Sequence, residues 1–275
     1  MDRDAAISDL RKLLDSYLPD RPIKYGFRFI DALPEPLLLG KRLDPLPFTG
    51  LVIGVSEKAI FITSGMHQFE IVDRAQVTMT PPIGDYVEVA PYSRRNFDGT
   101  FVRILKLGEA MAIAETLPAS KILSYDGNIE LPIQAKHSDD LAGLILQLEM
   151  LPAPDGFRSI AHLLVDAGAS DFELNDPDEH SKYRSSPSIS FSVKTNKYHG
   201  RVQITYDRGR DYYIFELYND GQIVEQITDV CWEDLADILA DKVDDGEWRQ
   251  IKITPIKLPV RCESPSMCDR PYICG

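Results

Sequence analysis

The chain has 275 residues, 44% of them hydrophobic and 27% charged, with a formal net charge of −13. That length carries one large domain or two ordinary ones, and the composition excludes both a disordered polyelectrolyte and a membrane-embedded bundle. No apolar run approaches the ~18 residues that cross a bilayer, and the charges in the N-terminal "MDRDAAISDLRKLLDSYL" break any signal-peptide core, so a cytoplasmic, unanchored protein is expected.

The first element is an amphipathic helix, with Ile7, Leu10, Leu14 and Tyr17 at helical spacing and Pro19 and Pro22 beyond its end. From residue 23 to about 135 the hydrophobic period shortens toward two. "IKYGFRFI", "GLVIGV", "AIFIT", "QFEIV", "DYVEVA", "FVRILKL" and "NIELPI" are short β-branched or aromatic segments, and their spacing predicts a small barrel or a strongly bent sheet. Two helices follow. Ser138 caps the first, whose buried face is Leu141, Leu144, Ile145 and Leu148. Asp155 is positioned to cap the second, with Ile160, Leu163, Leu164 and Ala167 aligned and Gly168 as its stop; His162 is expected at its surface or half-buried.

The polar stretch "DFELNDPDEHSKYRSSPS", residues 171–188, reads as a linker. After it come four strand-like segments, "SISFSVKT", "RVQITYD", "DYYIFELY" and "QIVEQIT", then a helix from about Cys231 to Val243 and a returning strand "QIKITPIK". In the hairpin between the third and fourth, a two-residue Asp220-Gly221 loop in regular register sets Glu216 opposite Glu225, and like charges there destabilise the pair. A three-residue Asn219-Asp220-Gly221 loop with Gly221 left-handed avoids this and aligns Tyr213, Phe215 and Leu217 with Ile223 and Ile227. Trp232, Leu235, Ile238, Leu239 and Val243 then cover that face.

The expected fold class is α+β: an N-terminal β-rich, barrel-like unit (1–135), a helical acidic connector (136–188), a C-terminal antiparallel meander with one packed helix (189–258), and a Cys/Pro tail (259–275). Charge is concentrated in residues 121–180, with 12 acids against 3 bases. Such a run is either a solvated connector or a face for a basic partner, with Asp171, Glu173, Asp176, Asp178 and Glu179 as the contact residues. Cys262, Cys268 and Cys274 stand at C-x5-C-x5-C with no histidine after His199, which is not the paired spacing of a zinc site. Neither a metal nor a cofactor is expected.

No phosphate-binding loop, nucleophile elbow or metal-spaced histidine pair occurs, and "HSDD" at 137–140 is accounted for by helix capping. Basic loops with aromatics are the one nucleic-acid feature: Arg94 and Arg95 between Tyr92 and Phe97, and Lys194, Lys197 and Arg201 around Tyr198.

Residues 48–102 carry an aromatic-x-Gly strand (Phe48, Gly50), a strand ending at Gly65, an apolar-Val-Asp-Arg group (Ile71 to Arg74), a Gly-Asp-x-Val-x-Val strand (Gly84 to Val89) and an Asp98-Gly99 turn. This order resembles the KfrB-type domain of plasmid and other mobile-element proteins, over about a fifth of the chain. It departs from that pattern around the central turn, where such domains show a Gln and a His: Ile62 and Thr63 occupy the strand, and His67-Gln68 stand in a different order. The resemblance implies a mobile-element accessory role and carries over no catalytic residue.

The leading functional expectation is therefore a non-enzymatic accessory or inhibitor protein. It would act by occluding a protein partner, such as a defence factor, a toxin or a plasmid-maintenance component. A DNA-associated accessory role through the basic loops is the second reading. A hydrolase-like enzyme whose site is gathered from distant residues is the third.

Overall fold

The computed structural model describes residues 1–17, 25–31, 44–65, 67–102, 127, 129–133, 137–177 and 186–257. Among these it has four α-helices and two sheets, an α+β fold. The chain divides into two compact units, and the division is discontinuous: one comprises residues 1–30, 47–90 and 252–275, the other 31–46 and 91–251.

The first unit opens with helix α1 (Arg3–Tyr17) and strand β1 (Gly26–Ile30), then β2 (Phe48–Val55), β3 (Ala59–Gly65), β4 (Gln68–Asp73) and β5 (Tyr86–Ala90). Ala6, Leu10 and Leu14 of α1 pack on Ile53, Ala59, Phe61, Phe69 and Ile71, the alternate residues of β2 to β4. Ile60, Ile62 and Val72, which alternate with them, are buried as well. A strand buried on both sides reads as an unbroken apolar run, and "AIFIT" is one. With β11 (Lys252–Pro255) at its far edge, the sheet runs β1-β4-β3-β2-β5-β11, with β1 parallel to β4 and the other pairs antiparallel. No pairing between β1 and β11 closes it into a barrel among the described residues.

Its last strand, β11 (Lys252–Pro255), is the returning strand of the sequence, but it does not rejoin the meander. It pairs antiparallel with β5, Lys252 opposite Ala90 and Pro255 opposite Val87. Alternation in "QIKITPIK" announces a strand without naming its neighbour.

The second unit contains α2 (Asp139–Met150), α3 (Ile160–Asp166), β6 (Ser170–Asn175), β7 (Ser188–Lys194), β8 (His199–Asp207), β9 (Tyr212–Asn219), β10 (Gln222–Val230) and α4 (Leu235–Val243). Strands β6 to β10 form a five-stranded antiparallel meander in sequential order. Ile189, Phe191, Val202, Ile204, Phe215 and Leu217 point from it into one core with Leu141, Leu144 and Leu148 of α2, Leu163 and Leu164 of α3, and Leu235, Leu239 and Val243 of α4. The stretch expected as a helical connector thus supplies two of the three helices covering this sheet. Their apolar faces are fully buried, which a solvated connector would not allow. The expected linker also begins as structure, since residues 170–175 form edge strand β6 on β7.

Local signals acted as their chemistry dictates, with informative exceptions. Ser138 accepts from the Leu141 amide and caps α2, and Gly168, at φ 66°, stops α3. The cap of α3 is Ser159 rather than Asp155, whose carboxylate instead accepts from the Phe157 and Arg158 amides one turn earlier. His162 is buried as the third residue of α3. The β9–β10 loop is the two-residue one: Asn219 pairs with Gln222, and Asp220 and Gly221 are both left-handed at φ 48° and 77°. This is the twist-matched turn that Asp-Gly favours. The like-charge conflict is resolved one step later by a bulge at Val224, so that Glu225 faces Leu217 and Gln226 faces Glu216. Ile227 reaches Phe215 as expected. Ile223 and Trp232, expected in the core, are half-exposed: Ile223 pairs with Tyr218 on the side away from the helices, and α4 begins only at Leu235, past Trp232. "FVRILKL" beyond Val102 and the tail Cys262, Cys268 and Cys274 lie outside the described residues.

Candidate functional site

The meander has two faces of different chemistry. Residues directly opposite one another in an antiparallel sheet project to the same side. The side away from the helices is therefore read in ranks across the strands. One rank is Ser170, Ser192, Arg201, Tyr218 and Ile223; the next is Glu173, Ser190, Gln203, Glu216 and Gln226. A third runs Asn175, Ser188, Thr205 and Ile214.

Serine at every second position of β7 (Ser188, Ser190, Ser192) leaves a trough between the larger side chains of β6 and β8. Arg201 reaches back along it. Its guanidinium donates to Ser190 Oγ over 2.8 Å and pairs with the Glu173 carboxylate at 2.5 Å. In the same rank, Glu216 accepts from Gln203 Nε2 at 3.2 Å and Gln226 Nε2 at 2.6 Å, and Tyr218 OH adds a third donor at 2.9 Å. A carboxylate only 7% exposed, on a sheet face, is tolerable because those donors replace its lost water. The bonds around Glu216 hold the centre of the face in one arrangement before anything binds.

Toward the β7–β8 turn the trough widens into a groove of about 670 Å³, whose lining includes Ser192, Lys194, His199, Arg201, Tyr218 and Asp171. Lys194 and His199 are directly opposite each other, and neither side chain has a hydrogen-bond or ion-pair partner among the described residues. Gly200 keeps the floor close. A β-carbon there would meet the Tyr218 carbonyl oxygen and, at 2.6 Å, the Tyr198 hydroxyl that donates to it.

Other polar clusters are engaged internally. In the second unit Arg158 is buried and donates to three carboxylates: Asp155 at 2.9 Å, Asp166 at 2.7 Å, and Asp244. Trp248 stacks on the guanidinium at 3.9 Å, and Tyr92 OH donates to Asp166 at 2.7 Å. Burial opposes the charge of Arg158, but Asp166 and Asp244 outweigh it and hold the pKa up. Burial pushes the Asp166 carboxyl up to about 6 against the pull of Arg158, and burial together with Asp166 raises the Tyr92 phenol.

Ser159 and His162 are a hydroxyl and an imidazole 2.8 Å apart, but this imidazole is a cap. Its Nδ1 also accepts from the Ser159 backbone N–H at 3.1 Å, completing the reciprocal cap of α3. Burial and the nearby Arg94 cation lower its pKa to about 3, so the ring is neutral. In the first unit, a recess of about 450 Å³ contains Glu70, which is buried and already bound by Arg28 and by Ser64 Oγ at 2.8 Å.

The sequence-predicted site residues scatter accordingly. Asp171 lines the groove and accepts from Ser170 Oγ, and Glu173 is the partner of Arg201. Asp176 accepts from the Ser138 amide and hydroxyl; burial works against its charge, but those bonds hold its carboxyl below the usual range. Asp178 and Glu179 lie outside the described residues. Arg94 is turned inward on Asp44, with paired bonds of 3.1 and 2.9 Å, and Arg95 lies over Phe101. Lys197 donates to the Ala240 and Asp244 carbonyls at the C-terminal end of α4. Of the basic sets, only Lys194 and Arg201 meet, in the groove. Sequence reading passed over the outward ranks themselves, although the alternation in "SISFSV" and the Gln and Thr of "RVQITYD" carried that signal.

No protein-family model matches the chain, and neither the curated proteins nor the solved structures contain a significant match to it. Among the described residues, no helix is long and apolar enough to cross a membrane, and no group of His, Cys, Asp and Glu is arranged to hold a metal ion.

Proposed function

We propose that this is a non-enzymatic binding protein that occludes or scaffolds a protein partner, and that the outer face of the five-stranded meander is its contact surface. The observation that carries this reading is the Glu173–Ser190–Gln203–Glu216–Gln226 rank. Gln203, Glu216 and Gln226 are bonded to one another and Ser190 and Glu173 to Arg201, while Lys194 and His199 beside them have no partner among the described residues. A face whose rotamers are fixed in advance loses little conformational entropy on association. Mixed donors and acceptors around a groove suit a polar protein surface, with charge placement selecting the partner and its approach. The KfrB-like order of residues 48–102 supports placing that partner in a mobile-element setting, as a defence factor, a toxin or a component of plasmid maintenance.

The reading is tested by capture from cell extract with the intact protein and two variants of matched stability. Ser192→Arg/Thr205→Arg crowds the outer face; Leu146→Arg alters the exposed side of α2. A stoichiometric partner kept by Leu146→Arg and lost by the double variant supports the assignment. A partner kept by both places the contact elsewhere.

A further inference from the structure

We propose that the β7–β8 end of the groove binds an oxyanion, a carboxylate or phosphate group carried by the ligand, with Lys194, His199 and Arg201 as donors and Glu173 as a tethered competitor. This rests on the reading of the outer face as the contact surface and names the chemistry one end of it takes.

Three observations lead there. Lys194 and His199 are a cross-strand pair of two nitrogen bases, and Arg201 lies two residues from His199 on the same face. An ammonium and an imidazole side by side can both donate hydrogen bonds to one oxyanion. No described carboxylate pairs with either Lys194 or His199.

The second observation is that Arg201, which also lines the groove, already holds a carboxylate at its guanidinium. Arg201 and Ser190 Oγ are bonded together, and Glu173 lies against the same guanidinium at 2.5 Å. Glu173 comes from an edge strand, and its side chain is 73% exposed. It competes for the guanidinium of Arg201, which lines the groove while Glu173 does not. An exposed pair of this kind is weak enough to exchange.

The third is the distribution of the remaining acids. Asp171 and Asp220 also border the groove, and Asp171 is turned to the Ser170 hydroxyl at 3.1 Å. They disfavour an extended polyanion along the whole groove and leave room for one charged group at the Lys194–His199 end.

The test follows the His199 ring signals by NMR on the full chain at fixed pH and low ionic strength. Inorganic phosphate is titrated in one arm and acetate in the other, and a His199→Gln sample identifies the resonance among the five histidines. A saturable shift of His199 is expected. Glu173→Gln, which releases Arg201, tightens it about three- to fivefold, the range an exposed ion pair accounts for. Lys194→Ala, at an exposed position, weakens it by about fivefold or more.

Tighter phosphate than acetate binding identifies a phosphate-bearing ligand, and equal binding a carboxylate. No saturable shift in either the wild type or Glu173→Gln overturns the proposal, as does a shift that Lys194→Ala leaves unchanged. If phosphate and acetate fail while partner capture still depends on the Ser192/Thr205 face, the oxyanion site alone is lost. If they bind while capture ignores that face, the contact-surface reading falls instead.

Discussion

Gln226 faces Glu216 across β9 and β10, and its side-chain amide donates to the buried Glu216 carboxylate over 2.6 Å. The bulge at Val224 makes this pairing possible. Without it, the regular register from the Asp220-Gly221 turn would place Glu225 there, and two carboxylates would share a poorly solvated site. The hairpin therefore satisfies two requirements with separate devices, the turn setting the twist and the bulge setting the charge register.

Gln226→Glu restores the conflict that the bulge avoids. At neutral pH it is expected to cost about 1–3 kcal/mol, the range for a buried acceptor left against a like charge. The loss is expected to shrink at acid pH, because a proton on either of two adjacent carboxyls removes their repulsion. Gln226→Leu removes one donor of three and costs less at neutral pH. Denaturant melts of the three proteins at pH 7 and pH 4.5 check both the order and its narrowing at acid pH.

Among the described residues, Arg158 is the single cation paired with Asp155, Asp166 and Asp244, and it is buried with them. Arg158→Met removes the buried cation shared by three carboxylates and is expected to cost about 3–5 kcal/mol at neutral pH, the range for breaking a buried ion pair from one side. Loss of cooperative unfolding, or a fall in denaturation midpoint of that size, is the expected result. A near-native melt would show that water already serves these carboxylates.

Asp166 gives the cluster a pH signature. Its pKa in the folded protein is about 6, raised from an ordinary 3.8, so folding favours the protonated form. The stability this contributes is full below 3.8 and is lost as pH rises through about 6. His162 contributes in the opposite sense. Its folded pKa is lowered to about 3 from 6.5, so its contribution is present above 6.5 and is lost as pH falls toward 3. The difference in unfolding free energy between wild type and Asp166→Asn isolates the first group. It is expected to move by about 2–3 kcal/mol in favour of the variant between pH 4 and pH 7.

Gly200 is placed by contact rather than by φ. Gly200→Ala sets a methyl group against the Tyr198 hydroxyl and Tyr218 carbonyl, forcing apart a 2.7 Å hydrogen bond. A loss of about 1–3 kcal/mol is expected. Tyr198→Phe/Gly200→Ala, in which the hydroxyl is already absent, recovers part of it. A thermal-melt double-mutant cycle measures the coupling.

Elements set by local chemistry were legible in the sequence: the α2 cap at Ser138, the Gly168 stop, and the alternation that makes each strand of the meander. What was not legible depended on partners distant along the chain. "QIKITPIK" is a strand in either sheet, and only pairing with β5 decides between them. "DFELN" is polar enough for a linker because an edge strand outside the core need not be apolar. Asp155 and Ser159 both fit the start of α3. Asp155 is engaged by Arg158, and the His162 ring completes the cap at Ser159, an arrangement that spacing alone does not reveal. The groove was hidden for a similar reason. Its residues are individually ordinary, and the register of four strands brings them together.

The most direct test of the account is hydroxyl-radical footprinting of the intact protein with and without the partner captured by it. The outer-face reading predicts reduced labelling at His199 and Tyr218 in the complex. Trp232 and Met150, each 49% exposed, should be labelled as in the free protein. Unchanged labelling at His199 and Tyr218 with protection at Trp232 or Met150 would contradict it.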